Sequence, residues 1–288
     1  MPLNSSVLKK VAWAALREDA AQRDVTTLSF ISGKVKAEAK ILAKEEGIVC
    51  GISMGRQVFK VFDPHIYFKA LKDDGDRVSP GSVIALLKGK ARSILSCERV
   101  ALNFLSYLSG ISTQTYEAVR KVRRQGIKIL DTRKTTPFLR AFEKYAVLMG
   151  QGRNHRFDLS EQYLVKDNHL FILRKTKTLP SLSYRERSIP FEIEVESLRD
   201  LKKALTVGPD IVMLDNFSPQ EVKRAVAFIR RMFARQGPKP LIELSGGITL
   251  KNISRYAIKG VDFISLGSLT HSAQALDLSL EITKVHSR

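Results

Sequence analysis

The sequence predicts an α/β protein in two parts: an α+β region over roughly the first hundred residues, then strands alternating with helices around a mainly parallel sheet with barrel-like closure. Two observations carry this. Beyond residue 112, short apolar runs end in polar or glycine residues at Asp131, Lys166, Glu194, Asp215, Ser245 and Gly267, spaced by 35, 28, 21, 30 and 22 residues, with helical patterns between most of them. That interval suits βα units joined by right-handed crossovers. Before residue 112 the texture differs, mixing two-residue alternation with helical faces.

Taken in order, Leu8, Val11, Ala12, Ala15 and Leu16 share one helical face behind Asn4, Ser5 and Ser6, which are able N-caps. From Val35 to Ala43 apolar and charged residues alternate as in a half-buried strand, and Gly47 and Gly51 flank another short apolar run. Asp73 to Gly81 carries two turn signals around a short strand and leads into Val83 to Leu87. Ile94, Leu95, Ala101, Leu102, Leu105 and Leu108 follow a helical period that Gly110 is expected to end, with a second helix from about Thr113 to Arg124 stopping at Gly126. The expected division is 1–112, 113–272, and a closing helix over 273–288 that returns toward the N-terminal domain.

Of the 288 residues, 44% are apolar, enough to fill real cores, and 48 Lys and Arg against 29 Asp and Glu leave a net charge of +19. That charge is open to three readings: a nucleic-acid footprint, attraction to a membrane surface, or handling of polyanionic small molecules. The apolar run Val11 to Leu16 is too short for a secretion signal or a membrane span. Cys50 and Cys97 lie far apart with no CxxC pair, so neither a disulfide framework nor a zinc site is expected, and a reducing cytoplasm is the simplest setting.

Parallel α/β sheets bind ligands at the carboxyl ends of their strands, which makes the polar strand ends the candidate site. Arg133 and Lys134, with Thr132, Thr135 and Thr136, emerge from one such end and can grip phosphate or carboxylate, although a solvated basic loop is the bland alternative. Gly150 to Arg156 adds Arg153, His155 and Arg156, and Lys166 to His169 follows ten residues later. His155 taken singly reads as structural; His65, His271 and His286 receive no role. Glu192, Glu194 and Glu196 share one face of a strand. Glu192 and Glu196 are credible as acids in water on an edge strand, whereas Glu194 is expected beside Asp215 of a neighbouring strand. Ser245-Gly246-Gly247 and Gly267-Ser268 each close a strand before a helix and can cradle a phosphate through freed backbone N–H groups.

These residues resemble a known family. Arg133-Lys134-Thr135-Thr136-Pro137, Asn154-His155-Arg156, Lys166-Asp167-Asn168-His169 and Ser245-Gly246-Gly247-Ile248 look like quinolinate phosphoribosyltransferase in order and spacing, and Asp24-Val25-Thr26-Thr27, Glu98 to Asn103 and Leu214 to Phe217 extend the match over nearly the whole chain. The resemblance implies an N-terminal α/β sandwich followed by an incomplete (β/α) barrel, the type II phosphoribosyltransferase fold. It also implies transfer of phosphoribosyl from phosphoribosyl pyrophosphate to quinolinate with loss of CO2, giving nicotinate mononucleotide and pyrophosphate on the de novo route to NAD.

By the same resemblance, Arg133, His155, Arg156 and Lys166 would bind quinolinate carboxylates, with Arg99 reaching in from the neighbouring subunit of a homodimer. Lys134 would contact substrate or its pyrophosphate. Glu194 and Asp215 would face the ribose and Mg²⁺, directly or through water, with Lys134 completing the catalytic set. Ser245, Gly246, Gly247, Gly267 and Ser268 would hold the 5′-phosphate. The expected location is cytoplasmic, with no membrane or nucleic-acid partner. Alternatives are another acceptor on the same fold, and a basic nucleic-acid-binding protein. Phe138 stands where the family usually has glycine, and Gln151 interrupts a usually all-glycine stretch. If the turn at Phe138 demands positive φ, reshaping the loop costs of order 1 kcal/mol or more. The cations Lys121, Arg123, Arg124, Arg230, Arg231 and Arg235 are expected on solvated helix faces away from the site.

Overall fold

The computed structural model describes residues 4–176, 188–234 and 239–286. The chain forms two compact units: Met1–Tyr116 with Thr136–Gln151 and Ser272–Arg288, and Glu117–Thr135 with Gly152–His271. The segment Thr136–Gln151, sited in the sequence inside the barrel part, belongs to the first unit. Among the described residues no helix is long and apolar enough to cross a membrane.

In the first unit, helix α1 (Ser5–Glu18) buries Leu8, Ala12 and Leu16, and Asn4 caps it by accepting the Ser6 N–H. Helix α2 (Val25–Phe30) is capped by Asp24 through the Thr27 N–H. Strands β1 (Lys36–Ala43), β2 (Gly47–Ile48), β3 (Tyr67–Ala70), β4 (Arg77–Val78) and β5 (Val83–Lys90) surround helix α3 (Ile52–Phe62) in sequence. The main sheet orders β1, β5 and β3 side by side, antiparallel throughout. Gly75 (φ 99°) and Gly81 (φ 86°) sit at the two expected turns.

Two expectations fail here. Gly110 does not end a helix: α4 runs unbroken from Ala91 to Val122. A Cβ on Gly110 would lie 2.0 Å from the Gln274 carbonyl oxygen, so the glycine serves close backbone packing rather than termination. The chain also ends in a strand rather than a helix. Leu278–His286 pairs antiparallel with β1 over its full length, at the edge opposite β5. Leu278, Leu280 and Ile282 alternate with polar residues, a period of two that fits the pleat and not a helix.

The second unit is built on six parallel strands: β6 (Lys128–Leu130), β7 (Tyr163–Val165), β8 (Phe191–Val195), β9 (Ile211–Asp215), β10 (Leu241–Ser245) and β11 (Phe263–Ser265). Their order is β6-β11-β10-β9-β8-β7, each neighbour parallel, with β6 and β7 left at the two open edges. This is the incomplete barrel that the resemblance implies. Helices α6 (Asp167–Thr176), α7 (Leu198–Leu205) and α8 (Pro219–Met232) follow β7, β8 and β9, while α5 (Arg140–Met149) lies in the first unit. On α8, Arg230 donates to the Lys259 carbonyl, and Lys121 donates to the Leu250 carbonyl, so these two cations are tied to the chain rather than merely solvated. Arg123, Arg124 and Arg231 are exposed as expected, and Arg235 lies outside the described residues.

Candidate active site

Alternation along each strand decides which side chains face the barrel interior. Leu164 and Lys166, Glu192 and Glu194, Met213 and Asp215, and Glu243 and Ser245 are such pairs, and register aligns Ser245 with Asp215 and Glu194 with Met213. A cavity of about 570 Å³ opens at the strand ends. Its lining includes Arg133, Lys134, His155, Arg156, Lys166, Glu194, Asp215, Ser245, Gly246, Gly247, Gly267 and Ser268, so these predicted site residues share one space. Arg99 does not share it: it stands exposed on α4, in the other unit.

Arg133 keeps a buried Nε with no hydrogen-bond partner, a donor suited to an arriving anion. Burial, and next the neighbouring Arg133, lower the pKa of the Arg156 guanidinium. The Lys134 loop is tied at both ends, its N–H donating to Thr132 Oγ1 at 3.0 Å and its carbonyl accepting from Thr270 Oγ1 at 2.7 Å.

Across the cavity, Glu194 accepts from Lys166 Nζ at 3.1 Å. Burial raises the Glu194 pKa, Lys166 opposes that shift, and Asp215 adds to it. Glu194 and Asp215 thus form an oxygen-only donor pair at adjacent strand ends, which suits a hard cation such as Mg²⁺.

The glycine loops differ in detail from expectation. Ser245 to Thr249 leads into a short 3₁₀ turn, Ile253–Tyr256, and Gly267 into the four-residue helix Ser268–His271, so no long helix presents its N-terminus there. The free N–H groups come instead from turn geometry. Gly246 (φ 80°) and Gly247 (φ 63°) are both left-handed, and a Cβ on Gly246 would lie 2.3 Å from Asn216 Oδ1.

Glu192 is not a solvated acid. It is fully buried on β8, with Oε2 3.2 Å from His155 Nε2. Glu243, unassigned from sequence, lies buried beside it, 3.7 Å from the same nitrogen. Complete burial first, and then the Glu192 charge, push the Glu243 carboxyl up to about 8, so it is protonated at neutral pH. Its sign in the sequence is an acid inside the apolar run Leu241–Ser245, two residues before the site residue Ser245. His155, Glu192 and Glu243 bring donor atoms within 4.8 Å of one another and could hold a cation. The Glu243 proton and the His155 contact already balance that cluster, whereas Glu194 is paired with the Lys166 ammonium and Asp215 accepts from the Asn216 side-chain amide.

Comparison with known proteins agrees with this architecture. Residues 24–109 match the quinolinate phosphoribosyl transferase N-terminal domain, and residues 111–281 its C-terminal domain. A probable nicotinate-nucleotide pyrophosphorylase [carboxylating] of Bacillus subtilis is 41% identical, covering 98% of this chain and 95% of its own. A protein of the same name from Methanocaldococcus jannaschii is 40% identical over 96% of this chain and 97% of its own. The crystal structure of NadC from Streptococcus pyogenes superposes with a TM-score of 0.87 at 38% identity, covering 99% of both chains. With both domains matched in sequence and the whole length matched in structure, the chain belongs to the quinolinate phosphoribosyl transferase family.

Proposed function

We propose that this chain is a carboxylating nicotinate-nucleotide pyrophosphorylase of de novo NAD biosynthesis. It transfers phosphoribosyl from phosphoribosyl pyrophosphate to quinolinate and releases CO2 and pyrophosphate. The observation that carries this reading is the single cavity in which Arg133, Lys134, Arg156 and Lys166 meet Glu194, Asp215 and the paired glycines of Ser245-Gly246-Gly247.

Arg133, Arg156 and Lys166 supply the forked and point charges that bind the two ring carboxylates, with His155 at the base of that subsite. Ser245, Gly246, Gly247, Gly267 and Ser268 take the 5′-phosphate. As the bond from ribose to pyrophosphate breaks, positive charge grows on the ribose carbon, and Glu194 and Asp215 stabilise it, while Lys134 stabilises the departing phosphates. The ring nitrogen of quinolinate then bonds to that carbon and becomes cationic. When the adjacent carboxylate leaves as CO2, its bonding pair stays on the ring carbon beside that cationic nitrogen until a proton replaces it. The residues need only position and desolvate the ring for this step. Glu194 and Asp215 would hold Mg²⁺, which supplies charge neutralisation for the pyrophosphate.

The reading includes a cytoplasmic homodimer in which Arg99 serves the partner's cavity. Its test is an assay with quinolinate, phosphoribosyl pyrophosphate and Mg²⁺, following nicotinate mononucleotide and CO2 together, with nicotinate as a parallel acceptor. Equimolar products from quinolinate alone are expected. Turnover of nicotinate instead assigns another acceptor, and silence with both removes the reading. Lys134→Ala and Arg156→Ala should lower kcat/KM by roughly 100-fold or more, while Arg230→Ala stays within about twofold of wild type.

A further inference from the structure

The barrel is open between β6 and β7, and the segment 153–156 lies across that opening. At the β6 edge, Arg153 bridges Leu130, and the buried Asp131 carboxylate accepts the His155 backbone N–H at 2.9 Å and the Asn154 side-chain amide. At the β7 edge, the Arg156 guanidinium donates to the Gln162 carbonyl at 2.9 Å, one residue before β7 begins. The position of Arg156 is therefore decided by what holds His155 and Gln162.

Both are held by one carboxylate. Glu192 Oε2 accepts from the Gln162 side-chain amide and faces His155 Nε2 at 3.2 Å. His155 Nδ1 in turn accepts the Arg156 backbone N–H at 2.7 Å, which leaves the ring proton on Nε2, toward Glu192. Two arms thus leave Glu192: one reaches the Arg156 backbone through His155, the other reaches its guanidinium through Gln162. Glu192 is fully buried and Gln162 half-buried, so the ring of hydrogen bonds lies largely out of water, where each bond is strong and a lost partner is costly. It also leaves His155 with neither ring nitrogen free for a ligand carboxylate, so His155 acts by holding Arg156.

We infer that Glu192 and Gln162 are positioning residues for carboxylate recognition: through His155 they fix the Arg156 guanidinium at the angle a ring dicarboxylate requires. This rests on the quinolinate reading and extends it to residues that touch no substrate. A binding group misplaced by about an ångström forfeits a large part of its contribution, so loss of the network weakens dicarboxylate binding selectively. Phosphoribosyl pyrophosphate, held by the glycine loops and Lys134, is spared.

The test uses Gln162→Ala and Glu192→Gln in the full chain, with binding of quinolinate and of phosphoribosyl pyrophosphate measured separately by calorimetry, and kcat taken at saturating quinolinate. Expected is a roughly tenfold weaker quinolinate Kd in each variant, with pyrophosphate-substrate binding and kcat within about threefold of wild type. In an Arg156→Ala background, Gln162→Ala should add nothing, because the group it positions is gone. Nitrogen NMR of the imidazole should find His155 as the Nε2–H tautomer in wild type and a changed signal in Glu192→Gln. Equal losses for both substrates, or full additivity with Arg156→Ala, would overturn the positioning role while leaving the function intact. Wild-type protein that binds no quinolinate would overturn the functional reading, and with it the purpose given to the network.

Discussion

At the scale of the residue, backbone conformation and protonation explain what composition does not. Phe138 (φ 65°) and Gln151 (φ 68°) adopt the left-handed conformation that a glycine takes without cost. Phe138 is 96% exposed, so burial offsets nothing. Glycine at either position removes about 1–2 kcal/mol of strain but adds about 0.4–1 kcal/mol of unfolded-state entropy. Each variant should thus gain between about 0 and 1.6 kcal/mol, read as a Tm rise of about 2–4 °C for each kcal/mol gained. Glu243 gives a second prediction. Its folded pKa, about 8, lies above its unfolded value because burial and Glu192 disfavour the charge, with His155 and Lys166 opposing. Between about pH 4.5 and 8 the unfolded chain has lost this proton and the native state keeps it. The group therefore stabilises fully at low pH and loses that contribution as pH rises through 8. In denaturant titrations at several pH values, Glu243→Gln should flatten the fall seen for wild type over this window; parallel curves would remove the assignment.

At the scale of the element, the instructive case is the C-terminal strand. A closing helix is expected over 273–288, yet Leu278, Leu280 and Ile282 keep a period of two, and β1 offers an edge that only an extended partner can satisfy. Deleting residues 277–288 should expose that edge along the eight residues of β1 and yield protein that scatters light and associates on dilution from denaturant. A monodisperse, cooperatively folding deletion would show that β12 (Leu278–His286) is dispensable. The long helix α4 makes the same point from the other side. Gly110 carries the chemistry of a stop signal, but what selects glycine there is the carbonyl of Gln274, which no local pattern can reveal.

At the scale of the whole molecule, the site was largely legible because parallel strands deliver their carboxyl ends to one place, and five polar residues and a glycine at successive strand ends mark them. All the predicted residues except Arg99 line one cavity. Arg99 is not among the residues lining that cavity, and the proposed dimer gives it a purpose that mixing can test. Subunits carrying Arg99→Ala and subunits carrying Lys166→Ala, each inactive alone, should recover activity when exchanged into one dimer, since one of the two cavities then keeps both residues. No recovery after confirmed exchange would remove the shared site. The charge of +19 has no matching explanation in the candidate cavity, and among its exposed carriers Lys121 and Arg230 fasten neighbouring loops through carbonyl oxygens.

What the sequence determined by itself was periodicity and motif: which runs form strands, where each strand ends, and which cations, carboxylates and glycines stand at those ends. These are local properties, set by the side-chain period of two or 3.6 and by turn chemistry. What only the tertiary structure decided was burial and partnership. Glu192 and Glu196 look alike in Phe191-Glu192-Ile193-Glu194-Val195-Glu196, yet the first is sealed in the barrel against His155 and Gln162 while the last lies in water. Whether a carboxylate keeps its charge, shares a proton or holds a neighbour in place depends on which distant strands close around it, and that is fixed by the packing of the sheet.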